Sequence, residues 1–156
     1  MMNALGISHF DKFTGSSRSL INLIDGLIDH NIKFHMIIPK KGILDHELTT
    51  RDIPVKIMPV KWWMTTKQTS VKLWKQYRRE TSESIQSIDK LINSWNIDFI
   101  YSNSSVFPVG MMASKRHQIP HIWHIREFGD LDFSLKYIFP KCLCRRYIRN
   151  SQAIIC

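Results

Sequence analysis

The chain has 156 residues, which is enough for one domain with a hydrophobic core of its own. Its 22 lysines and arginines outnumber 13 acidic residues and give a formal net charge of +9, which favours anionic partners such as nucleic acid, phosphorylated ligands or an anionic membrane surface. Three cysteines without a pairing framework and the lack of a basic-then-apolar leader predict a reduced, cytoplasmic protein rather than a secreted one. No apolar run approaches the roughly 20 residues that a membrane-spanning helix needs.

The first part of the chain alternates between short strands and amphipathic helices. Hydrophobic spacing predicts strands over residues 4–7, 32–38 and 53–60, and helices over residues 20–28 and 43–51. The first of these strands lacks the branched residues typical of a central parallel strand. The third contains two prolines, which favours an edge position. The alternation as a whole indicates parallel α/β construction.

A loop of small residues precedes the first predicted helix. Thr14, Ser16 and Ser17 are good capping residues, and Gly15 permits a tight turn. A helix N-terminus behind such a loop can bind an anion, because its first amides have no acceptor within the helix. The same residues also suit an ordinary strand-to-helix turn, so the loop by itself leaves both interpretations open.

Aromatic and basic residues are interleaved after the third strand. Trp62 and Trp63 follow that strand directly, and a long helix then runs towards Trp95. The basic residues of this segment are Lys67, Lys72, Lys75, Arg78 and Arg79. Such a segment suits the edge of an anionic bilayer, stacking and phosphate contacts with nucleic acid, or a solvated helix whose tryptophans pack on the domain. Peripheral membrane contact is the functional prediction, and the solvated helix is its structural alternative.

Polar residues gather at the ends of two later strands. A strand over residues 96–101 ends in the Ser/Asn cluster 102–105, which opens a further helix. A strand over residues 120–125 leads directly into a group formed by His124, Arg126 and Glu127. Residues 131–150 are predicted to be helical, and residues 153–156 are predicted to form one more strand.

Parallel strands bring these polar loops to one edge of the predicted sheet. Right-handed crossovers favour a single Rossmann-like, three-layer α/β domain with the strand order 3-2-1-4-5-6 and helices on both faces. The loops over residues 13–17, 102–105 and 124–129 would then meet at a crevice. Their polar groups suit a polyhydroxylated, phosphorylated ligand. The sequence has no Gly-x-Gly-x-x-Gly motif, Walker loop or nucleophile elbow.

Three motifs occur in order along the chain: TGSSRSLINLI at residues 14–24, DFIYSNS at 98–104 and PHIWHIREF at 120–128. Together they resemble the amino-terminal domain of family 4 glycosyltransferases. Those enzymes are retaining and have two Rossmann-like domains in the glycosyltransferase B fold, which close over a nucleotide sugar. The resemblance covers nearly the whole chain.

The resemblance also implies roles for individual residues. Gly15 and Ser16 would lie near the donor diphosphate, and His124 would approach the donor sugar at the floor of the cleft as the catalytic residue. The acceptor side would be shaped by Asn103, Ser104, Arg126 and Glu127. A nucleotide sugar is a substrate, so no cofactor, no metal and no nucleic acid partner are expected.

The family's second domain binds the donor and carries two glutamates separated by seven residues, and no such pair occurs here. Residues 1–156 are therefore expected to be the amino-terminal, acceptor-side domain alone, inactive without the carboxy-terminal domain. The expected function is transfer of a sugar to a saccharide or lipid-linked acceptor in surface polysaccharide biosynthesis, in the cytoplasm or at the inner face of the membrane. The alternative is a non-catalytic α/β module that docks on an anionic membrane or a partner protein.

Overall fold

Strands and helices alternate along the chain in the computed structural model, which describes residues 1–66, 70–125 and 136–138 and the backbone of Ala153–Ile155. The strands are β1 (Met2–Ile7), β2 (Ile32–Ile38), β3 (Val55–Ile57), β4 (Met64–Thr65), β5 (Phe99–Ser102), β6 (His121–His124), β7 (Lys136–Tyr137) and β8 (Ala153–Ile155). The helices are α1 (Gly15–Ile28), α2 (Ile43–Thr49), α3 (Val71–Ser94) and α4 (Val109–His117).

The main sheet is parallel and has the strand order β3-β2-β1-β5-β6-β8. Counted along the chain without the short strands β4 and β7, this is the order 3-2-1-4-5-6, so the predicted topology is confirmed. The chain moves outward from β1 to β3 and then returns to the other side of β1 at β5. At such a reversal the loops diverge and leave a crevice at the carboxyl ends of the strands.

Helices cover both faces of the sheet, so the predicted three-layer, Rossmann-like architecture is also confirmed. On one face, α1 and α2 pack against strand residues that include Ala4 and Met36. On the other face, α3 and α4 pack against strand residues that include Leu5 and Ile37. Neighbouring residues of one strand enter different cores because successive side chains point to opposite faces.

The central strand is β1, although its sequence is poor in branched residues. Close packing explains this, because a Cβ atom added to Gly6 would clash with the thioether of Met36 on the neighbouring strand. Met36 has no exposed surface, so it has little room to move aside. The small residue in β1 therefore leaves space for a large one in β2, and the pair fills the layer together.

A small antiparallel ribbon lies beside the main sheet and corrects one prediction. Residues 136–137 were expected to be helical, but they form β7, which pairs with β4. The backbone amide of Ile138 donates to the carbonyl of Trp63 at 2.7 Å, and the indole of Trp74 donates to the carbonyl of Ile138 at 2.5 Å. These contacts hold the segment against α3 in an extended form. The rest of the predicted helix over 131–150 lies outside the described residues.

The long helix α3 begins at a capped N-terminus. The side chain of Ser70 accepts a hydrogen bond from the backbone amide of Leu73 at 3.2 Å, which satisfies one of the amides that a helix start leaves unpaired. Its buried face includes Tyr77, Ile88 and Ile92. None of the described helices, α3 included, has both the length and the apolar character needed to cross a bilayer.

A buried histidine joins β6 to β5 on the face that α4 covers. The Nε2 atom of His121 lies 3.0 Å from the hydroxyl oxygen of Ser102, and both residues are almost fully buried. Gly110 of α4 lies so close to that hydroxyl that no Cβ atom would fit there. Burial lowers the pKa of His121 from 6.5 to about 4, so the imidazole stays neutral in the folded protein near pH 7.

The lowered pKa of His121 predicts that the free energy of unfolding decreases in mild acid. Well above pH 6.5 the imidazole of His121 is neutral in both the folded and the unfolded state. As the pH falls below 6.5, the unfolded chain binds a proton at His121, but the folded chain binds it only near pH 4. Between pH 7.5 and pH 5, His121 should remove about 2 kcal/mol from the free energy of unfolding. Urea unfolding of the wild type and His121→Gln at both pH values measures this. The same pH dependence in both proteins would contradict it.

Candidate functional site

The carboxyl ends of three neighbouring strands meet at the crevice. Ile7 of β1 is in register with Ser102 of β5, and Ser102 is in register with Trp123 of β6. The segments that follow these residues therefore leave the sheet side by side. The sequence analysis predicted that the polar loops meet at this edge of the sheet.

Asn103 joins the end of β5 to the start of α1. Its backbone amide donates to the carbonyl of Ile7 at 2.9 Å, and its side-chain amide donates to the carbonyl of Ser16 at 3.3 Å. Only 1% of Asn103 is exposed. In this structure the residue positions the first turn of α1, and it lies beneath the surface that a ligand would contact.

The loop before α1 is shorter than the sequence predicted, because the helix begins at Gly15 and residues 15–17 form its first turn. Thr14 is extended at the N-cap, and its hydroxyl lies 3.1 Å from that of Ser16. Ser17 is buried, and its hydroxyl donates to the carbonyl of Lys12 at 2.7 Å. A Cβ atom at Gly15 would meet nothing within 4 Å. The N-terminus of α1 is therefore accessible at Gly15, and its first turn contains no acidic residue that would compete with an anion.

His124 lies at the carboxyl end of β6, partly exposed, with its side chain on the face that α1 covers. Its Nδ1 atom lies 2.6 Å from the hydroxyl oxygen of Tyr101, a β5 residue that is only 3% exposed. A phenol usually donates to the more basic imidazole nitrogen, which would leave the proton of the neutral ring on Nε2. The short contact fixes the orientation of the ring, whichever of the two atoms donates.

The segment after β5 is buried rather than open. Ser104 has no exposed surface, and its hydroxyl accepts a hydrogen bond from the backbone amide of Val106 at 3.2 Å. Its carbonyl accepts a hydrogen bond from the indole of Trp123 at 2.7 Å. The predicted acceptor-side residue Ser104 thus shapes the loop from inside the core.

The two adjacent tryptophans have different positions. Trp63 is 1% exposed, stacks on Trp123 with ring centroids 5.8 Å apart, and donates from its indole to the carbonyl of Ser105 at 2.7 Å. This placement corrects the prediction that Trp63 contacts a membrane, because the side chain is part of the core. Trp62 is partly exposed at the carboxyl edge of the sheet.

The basic residues of α3 are on its solvent-facing side. Lys72, Lys75, Arg78 and Arg79 are exposed, and Lys67 lies outside the described residues. Val71 is 71% exposed and Trp74 is 36% exposed at the same end of the helix. The N-terminal turns of α3 therefore present cations together with apolar side chains.

Two predicted site residues, Arg126 and Glu127, lie outside the described residues. Within the described part of the chain, no group of three or more His, Cys, Asp or Glu side chains is placed to hold a metal ion. The structure also adds residues that sequence reasoning missed. Tyr101 reaches His124 from the neighbouring strand, and His9 and Phe10 occupy the carboxyl end of β1. An aromatic pair directly after the first strand was the only sequence signal for the latter.

No protein-family model and no curated protein sequence matches this chain. Among solved structures, it is similar to MurG from Acinetobacter baumannii, with a TM-score of 0.67 at 10% identity over 99% of this chain and 40% of that one. It is similar to HepE from Anabaena in complex with UDP-glucose, with a TM-score of 0.64 at 16% identity over 99% of this chain and 37% of that one. A Listeria monocytogenes protein assigned as a UDP-N-acetylglucosamine 2-epimerase matches with a TM-score of 0.57 at 14% identity, over 98% of this chain and 38% of that one.

These similarities establish the fold. The chain is a Rossmann-like α/β domain of the kind found in glycosyltransferases of the B fold. It spans between 37% and 40% of the length of the three structures. At these identities the activity must be argued from the residues of the site.

The contact between Tyr101 and His124 predicts that the two side chains are energetically coupled. Tyr101→Phe and His124→Asn should each destabilise the protein, and the double variant should lose about 1 kcal/mol less than the sum. Urea unfolding of the four proteins measures the coupling. Tyr101→Phe combined with His117→Asn is the control, because His117 is bonded to Asp89 instead and should be additive within about 0.5 kcal/mol. If the losses of stability in Tyr101→Phe and His124→Asn are as additive as those of the control pair, the contact contributes nothing to stability.

Proposed function

We propose that this chain is the amino-terminal, acceptor-side domain of a retaining, family 4 glycosyltransferase. The enzyme would transfer a hexose from a nucleotide sugar to a saccharide or lipid-linked acceptor in surface polysaccharide biosynthesis. The observation that carries the proposal is the assembly of the α1 loop, Asn103 and His124 at the switch point of a fold shared with the UDP-glucose complex of HepE. Residues 14–16, 102–104 and 124, which belong to the three sequence motifs that resemble family 4, lie at this edge.

The donor diphosphate would bind at the N-terminus of α1. The first amides of a helix carry partial positive charge and lack acceptors within the helix, so an anion is stabilised there. Gly15 allows a close approach because nothing fills the space beside its Cα atom, and Asn103 holds the carbonyl of Ser16 so that the turn is fixed. The nucleotide sugar is the substrate, and the proposal includes no metal or cofactor.

His124 would act on the donor sugar through hydrogen bonding and charge rather than as a lone general base. Tyr101 holds one ring nitrogen, which orients the ring before the substrate arrives. A ring oriented in this way can hydrogen-bond a sugar hydroxyl or shield the charge that develops at the anomeric carbon. Because the orientation is already fixed, little reorganisation is needed during the reaction.

A complete enzyme would need a second, donor-binding domain. The sequence lacks the glutamate pair that family 4 enzymes carry on that domain, and the similar structures are about two and a half times as long as this chain. The proposal therefore assigns residues 1–156 to one side of an interdomain cleft. Alone, this domain would be inactive.

A UDP-sugar epimerase is the second candidate, because the Listeria monocytogenes structure has nearly the same degree of similarity. Both classes of enzyme would use the same donor edge, but only a transferase moves the sugar to an acceptor. A non-catalytic module that docks on a membrane or partner is the third interpretation. The products of the reaction distinguish these functions.

The test is transfer of radiolabelled sugar from UDP-hexoses, GDP-hexoses and UDP-N-acetylglucosamine to membrane lipid or saccharide by the enzyme that contains this domain. His124→Ala should lower kcat by at least about 100-fold, the loss expected for one transition-state hydrogen bond. The same variant should lower the free energy of unfolding by only about 1 kcal/mol. His117→Ala is the matched control. His117 lies at the C-terminal end of α4, away from the site, and is bonded to Asp89 of α3, so this variant should keep full activity.

Three outcomes would contradict the proposal. Label that stays in a nucleotide sugar of altered configuration would favour the epimerase. No turnover of any nucleotide sugar would favour the binding module. If His124→Ala unfolds the protein but leaves the activity per folded molecule unchanged, then His124 is a structural residue and the catalytic group lies elsewhere.

We also propose that the N-terminal turns of α3 place this domain on an anionic membrane, at its cytoplasmic face. Lys72, Lys75, Arg78 and Arg79 are exposed there, and Lys67 precedes them in sequence. Trp74 and Val71 would supply the apolar contact, together with Trp62 at the nearby edge. Lipid-linked acceptors lie in such a membrane, so this contact would bring the cleft towards its substrate.

Vesicle sedimentation tests the membrane contact. Each exposed cation is worth about 1 kcal/mol near an anionic surface, so the chain should bind phosphatidylglycerol vesicles but not phosphatidylcholine vesicles, and less at high salt. Lys72→Glu/Lys75→Glu should abolish binding. The same change of charge at Lys90→Glu/Lys115→Glu, at the far ends of α3 and α4, should weaken it far less. Equal binding to both lipids, or equal loss in both variants, would leave α3 as an ordinary solvated helix.

A further inference from the structure

Three aromatic side chains, the buried His9 and the partly exposed Phe10 and Trp62, form a continuous cluster after β1, which we call the aromatic shelf. The ring centroids of His9 and Phe10 are 3.9 Å apart, and Trp62 is edge-on to the two rings at 5.4 Å and 6.0 Å respectively. Phe107, which has no exposed surface, lies 6.0 Å from His9 and backs the shelf from the core. Phe10 and Trp62 are partly exposed, so their rings remain accessible.

The loop that carries the shelf is held at both ends. The backbone amide of Ser8 donates to the carbonyl of Ile37 at 2.9 Å. At the other end, the carbonyl of Asp11 accepts a hydrogen bond from the amide of Leu44 at 3.2 Å. The carboxylate of Asp11 also pairs with Lys40 at 3.2 Å. A loop fixed in this way loses little conformational entropy when a ligand binds.

We propose that the aromatic shelf is a binding subsite for one pyranose ring of a saccharide. The apolar C–H face of a pyranose can pack on aromatic rings, while its hydroxyl groups need hydrogen-bonding partners. The partly exposed carboxylate of Asp11 and its partner Lys40 lie beside the same short loop as Phe10, so polar groups stand near the aromatic rings.

The position of the shelf assigns this subsite to the acceptor, an assignment that rests on the proposed function. β5 separates the end of β1 from the end of β6, where His124 lies. Neighbouring strands are about 4.8 Å apart, so the two strand ends are separated by about 10 Å. An oligosaccharide on the shelf could extend along this edge and present its terminal hydroxyl towards the cleft. The donor phosphates would bind separately, at α1.

Saturation-transfer NMR on the 156-residue chain tests the shelf without any donor. The probes are cellobiose, chitobiose, lactose and mannobiose at millimolar concentration, with farnesyl phosphate as the lipid probe. At least one disaccharide should receive saturation mainly at the C–H protons of one ring face. Trp62→Leu, which keeps an apolar side chain on the core but removes the indole, should weaken that binding about tenfold, as expected for loss of an aromatic anchor. Trp62→Phe should restore part of it.

Trp74→Leu is the matched control, because it removes an indole from α3 and should leave saccharide binding unchanged. Thermal unfolding of each variant shows that a loss of binding does not come from a loss of fold. The shelf is overturned if no disaccharide binds, if only farnesyl phosphate binds, or if Trp62→Leu and Trp74→Leu bind equally well. If a saccharide binds at Trp62 while the transfer assay shows no activity, the shelf stands and the glycosyltransferase proposal fails.

Discussion

Two indole hydrogen bonds hold the segment after β5 inside the protein, and the carboxyl edge of the sheet depends on them. All of residues 101–110 are buried, which is rare for a strand-to-helix connection because its backbone groups need partners away from water. Trp63 and Trp123 provide two of these partners, donating to the carbonyls of Ser105 and Ser104 at 2.7 Å each. Leaving either carbonyl unpaired would cost about 1–3 kcal/mol. The stacked indoles therefore decide where this connection runs.

The candidate site inherits its geometry from that buried connection. Because the chain after β5 cannot shift outward, Asn103 reaches the carbonyl of Ser16, and Tyr101 stays beneath His124. The parts of the site that would contact ligand are thus supported from the core. The basic side chains at the start of α3 differ from this site, because they are exposed to solvent and are not held by the core. One region is suited to geometric selection of a ligand, and the other to long-range attraction of an anionic surface.

The sequence was a good guide wherever structure follows from local periodicity. Strand order and the two helical layers could be predicted because alternation and right-handed crossovers leave few arrangements. It failed where distant contacts decide the outcome. Trp63 was expected at a membrane and lies in the core, because Trp123 and the carbonyl of Ser105 are 60 and 42 residues away in the chain. β7 was expected to be helical, but its pairing with β4 overrides local preference. The Tyr101–His124 contact likewise joins two strands that periodicity treats separately.

The placement of β1 between β2 and β5 also has a consequence for synthesis on the ribosome. β2 follows β1 closely, whereas the partner on the other side is distant: Asn3 of β1 donates to the carboxylate of Asp98, 95 residues later, at 2.6 Å. At elongation rates of about 5–20 residues per second, that second partner is made roughly 5 to 20 s after the strand itself. During this interval one edge of the central strand has no neighbouring strand. The core around Leu5 and Ile7 also lacks the residues that β5 and α4 contribute to it. The nascent domain should therefore be a client for chaperones until β5 emerges.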